Sequence, residues 1–121
     1  MKEEVRRWVE KAIDDLDKAG ILFRNQKYDG VVFFCQQAAE KALKGLSLKE
    51  KNRIKKIHDL VILGKDVDLP QNLLDYCKEL TGAYVYSRYP EVEEEKDIDK
   101  ISAKFINYAR EVLEWVKKRI S

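Results

Sequence analysis

His58, the one histidine of this 121-residue chain, follows Arg53 with four residues between them. An imidazole exchanges protons near neutral pH, and a guanidinium holds phosphate through paired N–H donors. Together they have the chemistry for metal-free cleavage of a phosphodiester. His58 would act as general acid or base on the 2′-hydroxyl or leaving oxygen, and Arg53 would steady the pentavalent phosphate. A structural reading stands beside this one: His58 and Asp59 cap a short helix with their side chains, since Asp is favoured at a helix N-terminus.

A second cluster lies upstream in Gln36-Gln37-Ala38-Ala39-Glu40-Lys41-Ala42-Leu43-Lys44. Glu40 and Lys44 form an i,i+4 pair in the favourable order, worth about 0.3–0.5 kcal/mol on a helix surface. Lys41 and Lys44, one turn apart, form a small cationic face able to meet phosphate. A third candidate is Arg88 with Tyr89, in a segment that also holds Tyr84 and Tyr86. There the arginine and tyrosine can grip or stack on a nucleotide. They can equally be structural, the tyrosine packing at a corner and the arginine pairing with the acids that follow.

Charge is segregated although the net charge is only +2. Lys49, Lys51, Arg53, Lys55 and Lys56 crowd one segment with Glu50 as its sole acid, while Glu91, Glu93, Glu94, Glu95, Asp97 and Asp99 crowd another. The expectation is that the segment from Lys49 to Lys56, with Arg88, meets a polyanion or an acidic partner, Lys51 and Lys55 contacting nucleotide or RNA.

Other chemistries lack their residues. There is no Gly-rich phosphate loop, no nucleophile elbow and no constellation of carboxylates. One histidine and two distant cysteines do not make a zinc site, so no metal and no cofactor is expected. Cys35 and Cys77 each lie in an apolar helical stretch and read as small buried hydrophobes in a reducing compartment. The N-terminus, Met1-Lys2-Glu3-Glu4-Val5, has no signal-peptide core, and no apolar run approaches the roughly 20 residues that cross a bilayer. A cytoplasmic protein without membrane contact is expected.

These side chains must be positioned by helices. Val5, Trp8, Val9, Ala12, Ile13, Leu16 and Ala19 draw one stripe down a first helix over residues 2–19, with Gly20 as a possible end or a point of passage toward Asn25. Asp29 is the expected N-cap of a second helix through Leu46, apolar nearly all round and therefore central. A charged connector should cover Lys49 to Lys56. A short helix should then run from His58 through Leu63, with Gly64 as its C-cap. Pro70 opens a fourth helix carrying Leu73, Leu74, Cys77 and Leu80. A loop follows at Ser87-Arg88-Tyr89-Pro90, and then a last helix with Ile101, Phe105, Ala109, Val112, Leu113, Val116 and Ile120 on one face. At 45% hydrophobic and 38% charged residues, the expected structure is a single all-α domain over residues 1–121. Its architecture is an antiparallel up-and-down bundle of four long helices plus one short helix.

Trp8, Asp15-Leu16, the Gln36 to Lys44 segment, His58-Asp59-Leu60 and Ser87-Arg88-Tyr89-Pro90 occur in the order and spacing of the HEPN domain family. The chain resembles that family from about residue 4 to residue 118. The resemblance implies a homodimeric helical bundle, a separately encoded minimal nucleotidyltransferase as partner in a toxin–antitoxin system, and handling of nucleotide or RNA. Arg53 and His58 also match the Arg-x4-6-His spacing of ribonuclease members. They depart from that pattern in two ways: Ile54 stands where catalytic members carry a polar residue, and the pair follows the second helix rather than lying later. The leading expectation is a binding module, with a metal-independent endoribonuclease and a purely structural interaction protein as alternatives.

Overall fold

The computed structural model describes residues 2–87 and 96–121. Its elements are α1 (Glu3–Arg24), α2 (Tyr28–Lys51), α3 (Leu60–Asp66), α4 (Gln71–Ser87) and α5 (Ile98–Ile120). Among the described residues every element is a helix, arranged as four long antiparallel helices and one short one. Arg88, Tyr89 and the acids from Glu91 to Glu95 lie outside the described residues.

The second helix is the spine, touching all four others. Its alanines at 38, 39 and 42 are fully buried, as are Leu43 and Leu46. Small side chains let neighbouring helices approach on several sides at once. Gly45 marks a close approach of α1: a Cβ there would lie 3.0 Å from Trp8 Cβ and 3.7 Å from the Val5 carbonyl oxygen. The absence of that atom seats Trp8 directly against α2.

Several boundaries differ from expectation, each for a local reason. The first helix runs through Gly20 to Arg24, because the stripe continues and the propensity cost of one glycine is only about 1 kcal/mol. Its inward face holds Asp15 rather than Ile13, which is 43% exposed. The second helix starts at Tyr28 with Lys27 as its N-cap; Asp29 sits in the first turn, where its charge meets the helix dipole. It also extends to Lys51 and ends on Asn52 at φ 56°, a left-handed conformation that asparagine tolerates. Lys49 to Lys51 are thus helical, and the connector proper is shorter than expected. Gly64 is interior to α3, and the chain turns at Val67. A Cβ on Gly64 would lie 2.8 Å from a Leu74 methyl and 2.9 Å from a Leu69 methyl, so this glycine serves close packing. Pro70 precedes α4, its carbonyl accepting from the Leu73 and Leu74 amides. The helix then continues past Gly82, as the stripe of Leu73, Leu74, Cys77 and Leu80 is already anchored.

Candidate functional site

The polar residues of α2 are spaced so that Gln36, Glu40 and Lys44 stack on one line and Gln37 and Lys41 on the next. Glu40 is the hub. Its carboxylate accepts from the Gln36 amide at 2.9 Å and from the Lys44 ammonium at 3.0 Å, and both its oxygens lie 3.1 Å from His58 Nδ1. Gln36 also donates to the His58 carbonyl at 3.1 Å, tying the connector to the spine at the same residue. Glu40 is 5% exposed and Lys44 6%. Burial pushes the Glu40 carboxyl up, but the hydrogen bonds from Gln36, Lys44 and His58 outweigh it and hold the group below the ordinary glutamate range.

A second carboxylate is buried one layer away. Asp15 of α1, 1% exposed, receives the Lys41 ammonium at 2.5 Å, with Lys11 at 3.4 Å. Lys41 also donates to Gln37 at 3.1 Å, and Gln37 donates to Gln36 at 2.9 Å. The residues from Gln36 to Lys44 therefore form one continuous polar chain, from Lys11 on α1 across α2 to His58 on the connector. The two lysines expected to offer a cationic face are each committed to a buried carboxylate, Lys44 to Glu40 and Lys41 to Asp15.

Arg53 has a different anchor. Its guanidinium meets both oxygens of Asp66, at 3.0 and 3.3 Å, and Lys55 approaches the same carboxylate at 3.5 Å. Ser47, buried in α2, donates its hydroxyl toward Asp66 and the Arg53 carbonyl, each at 3.1 Å. The Arg53 contact, joined by those from Ser47 and Lys55, keeps the Asp66 carboxyl below the ordinary aspartate range against some opposing desolvation. Arg53 and His58 are thus held by separate carboxylates. Lys51 and Lys56 are exposed and form no ion pair among the described residues. Lys49 turns back to the Ile120 carbonyl, and Glu50 pairs with Arg119 at 2.9 Å.

The capping expectation divides. Asp59 is the N-cap of α3, its side chain accepting from the Val61 and Ile62 amides at 2.9 and 3.3 Å. His58 takes no part in that cap. Its ring, engaged through Nδ1, is 74% exposed and leaves Nε2 available to solvent. Cys35 and Cys77 are buried free thiols, and burial pushes both up to about 12. No group of three His, Cys, Asp or Glu side chains among the described residues is placed to hold a metal ion.

Sequence reasoning missed Asp15 and Asp66 as anchors. Asp15 carried a signal, for it lies three residues after Ala12 and four before Ala19, on the inward stripe itself. Asp66 carried none, because its partners come from α2 and the connector.

This arrangement of helices has known counterparts. The HEPN domain family matches the chain over residues 5–119. The chain belongs to that family. The HEPN fold is shared with TT1696 from Thermus thermophilus, at 28% sequence identity and a TM-score of 0.83, covering 97% of this chain and 98% of that one. It is shared also with ST0689, an archaeal HEPN homologue, at 32% identity and a TM-score of 0.80, with both chains covered in full. No curated protein sequence matches it. No helix among the described residues is long and apolar enough to cross a membrane.

Proposed function

We propose that this HEPN-domain protein is a cytoplasmic binding module, one domain over its length and homodimeric, whose connector between α2 and α3 presents a surface to RNA or nucleotide. In this reading it works beside a separately encoded minimal nucleotidyltransferase, in a toxin–antitoxin arrangement, and supplies none of the transfer chemistry itself. The observation that carries it is the construction of the connector. Asp66 gathers Arg53 and Lys55 at one point, while Lys51 and Lys56 stand exposed beside them without a counter-ion among the described residues. Arg53 remains 49% exposed and uses two of its five N–H donors on Asp66, leaving others for a phosphate. Arg88 and Tyr89, also expected to meet nucleotide or RNA, lie outside the described residues.

The test reverses Lys51 and Lys56 together to glutamate. Neither holds an internal ion pair among the described residues, so the bundle should fold as before. Binding of a single-stranded RNA oligonucleotide, followed by fluorescence anisotropy, should weaken steeply with salt in the parent and be lost in the double variant. Unchanged affinity would remove the connector as the binding surface.

One observation favours a second reading, a metal-independent endoribonuclease. A buried carboxylate that orients an exposed imidazole through Nδ1 is the arrangement a general base requires. RNA cleavage that persists in EDTA and disappears in His58→Ala would establish it. The third reading, a structural interaction protein, draws on the internal pairing of Lys41, Lys44 and Arg53. It would be left standing if neither binding nor cleavage were found.

A further inference from the structure

We propose that His58 is a phosphoryl-acceptor site: its Nε2 takes a phosphoryl group from a phosphoramidate, a donor with a labile P–N bond, and holds it as Nε2-phosphohistidine. The ring is the one that the ribonuclease reading uses, but the acceptor role rests on neither RNA binding nor RNA cleavage.

Three observations meet at this ring. The first is its tautomer. Burial opposes ionisation of Glu40, and the hydrogen bonds it accepts overcome that, so the group is a carboxylate and can only accept. Nδ1, 3.1 Å from both Glu40 oxygens, therefore carries the proton, and the lone pair is on Nε2.

The second is placement. Gln36 donates to the His58 carbonyl at 3.1 Å, and the Leu60 amide, two residues on, donates to Thr81 Oγ1 of α4 at 3.2 Å. The backbone here is tied to α2 on one side and to α4 on the other, while the ring stands 74% exposed. A nucleophile fixed on rigid helices and open to solvent can be reached by a donor as large as a phosphorylated protein side chain. Lys56, exposed and without an ion pair among the described residues, lies two residues before it. Asp59, the acid next to it, is engaged by the Val61 and Ile62 amides.

The third is what the fold leaves unused. Asp59 alone caps α3, and Lys44 and Gln36 already meet the Glu40 carboxylate. Neither the cap, the buried ion pair nor the core requires an imidazole edge turned to solvent.

The step balances without a co-reactant. The Nε2 lone pair forms a bond to phosphorus as the donor P–N bond breaks, and that bond's electron pair leaves with the departing amine. The ring takes on positive charge, and the Glu40 carboxylate already faces the Nδ1–H that shares it. One P–N bond replaces another, so the group can be passed on as readily as it is received.

The experiment treats the intact protein with potassium phosphoramidate near neutral pH and follows phosphorus NMR and intact mass. His58 is the one histidine of the chain, so any phosphohistidine signal is its own. One phosphoryl group per chain should appear, bound to Nε2 alone, at least about tenfold faster than on N-acetylhistidine amide. That reference is open at both ring nitrogens, so the choice of isomer marks the site and not the reagent. His58→Ala should give no signal. Glu40→Gln combined with Lys44→Met leaves no orphaned buried ammonium and should lower the rate by about tenfold. If that double variant does not fold, the parent decides alone. Label at Nδ1, a mixture of isomers, or a rate no higher than that of the reference overturns the proposal. Labelling without RNA cleavage keeps the acceptor and removes the nuclease, and cleavage without labelling does the reverse.

Discussion

His58 Nδ1 lies 3.1 Å from each carboxylate oxygen of Glu40, so a residue of the connector is oriented by a residue of the central helix. The same carboxylate neutralises Lys44, which is 6% exposed. One side chain thus holds an exposed ring in place and keeps a buried cation compensated.

Glu40→Gln should therefore be costly. It leaves the Lys44 ammonium buried without a counter-ion, and breaking such a pair from one side costs about 3–5 kcal/mol. Urea unfolding should show a loss of that order. Replacing Lys44 by methionine in the same background should recover much of it, because the orphaned charge is then gone. Equal stability of Glu40→Gln and the parent would mean that Lys44 reaches solvent.

Acid should destabilise the fold through two identifiable groups. The folded Glu40 and Asp66 carboxyls lie below their ordinary values of 4.5 and 3.8. Groups depressed in this way add stability that is present above the ordinary value and is lost as pH falls through the folded value. The urea midpoint should thus hold between pH 7 and 5 as far as these groups are concerned and decline below about pH 4.5. The decline should be shallower in Asp66→Asn. A midpoint independent of pH down to about 3 would show that neither carboxylate is held as described.

Asp59 and His58 are adjacent and should behave differently. Asp59→Ala removes the side-chain cap of α3 and should cost about 1 kcal/mol. His58→Ala leaves that cap intact and removes a mostly exposed ring, so its effect on unfolding should be the smaller. Any loss of RNA cleavage in His58→Ala at unchanged stability then reports chemistry directly. A larger stability loss at 58 than at 59 would contradict the assignment of the cap.

An apolar patch remains on the described surface where α2 begins and α4 ends. Phe33 is 38% exposed and Val85 47%, and the Phe33 and Tyr84 rings are 5.8 Å apart. Exposed patches of this kind mark interfaces. Sedimentation velocity should show a homodimer, and Phe33→Glu should shift it toward monomer. A monomer at micromolar concentration in the parent would defeat the proposed dimer and with it any site built across a two-fold axis.

The helices were legible because their stripes are long and regular: the Phe105 to Ile120 face of α5 is buried as its spacing implies. Boundaries were less so. Gly20, Gly64 and Gly82 all lie inside helices, for a glycine does not end an element whose neighbours are already packed. The chemical residues were legible by type and not by partnership. Lys41 and Lys44 look alike on paper, a turn apart with acids nearby. One binds a carboxylate four residues away on its own helix, while the other crosses to Asp15 on a different helix. Arg53 and His58 share a spacing in the chain and diverge in space, because Ser47 and Asp66 draw one and Gln36 and Glu40 draw the other. Those pulls come from tertiary neighbours, which spacing along a chain does not encode.

The close seat of α1 on Gly45 bears on how such a chain can diversify. The atom that a Cβ at 45 would strike first is the Cβ of Trp8, which every residue except glycine possesses. Shortening the tryptophan therefore gives no relief, and no ordinary exchange at position 8 can compensate a side chain gained at 45. What remains is a displacement of α1 by a few tenths of an ångström, which the Lys41–Asp15 contact at 2.5 Å tolerates without breaking. A lineage carrying alanine at 45 would thus have to move a helix and not a side chain, so that variation at 45 is answered by the backbone of α1 rather than by an exchange at position 8.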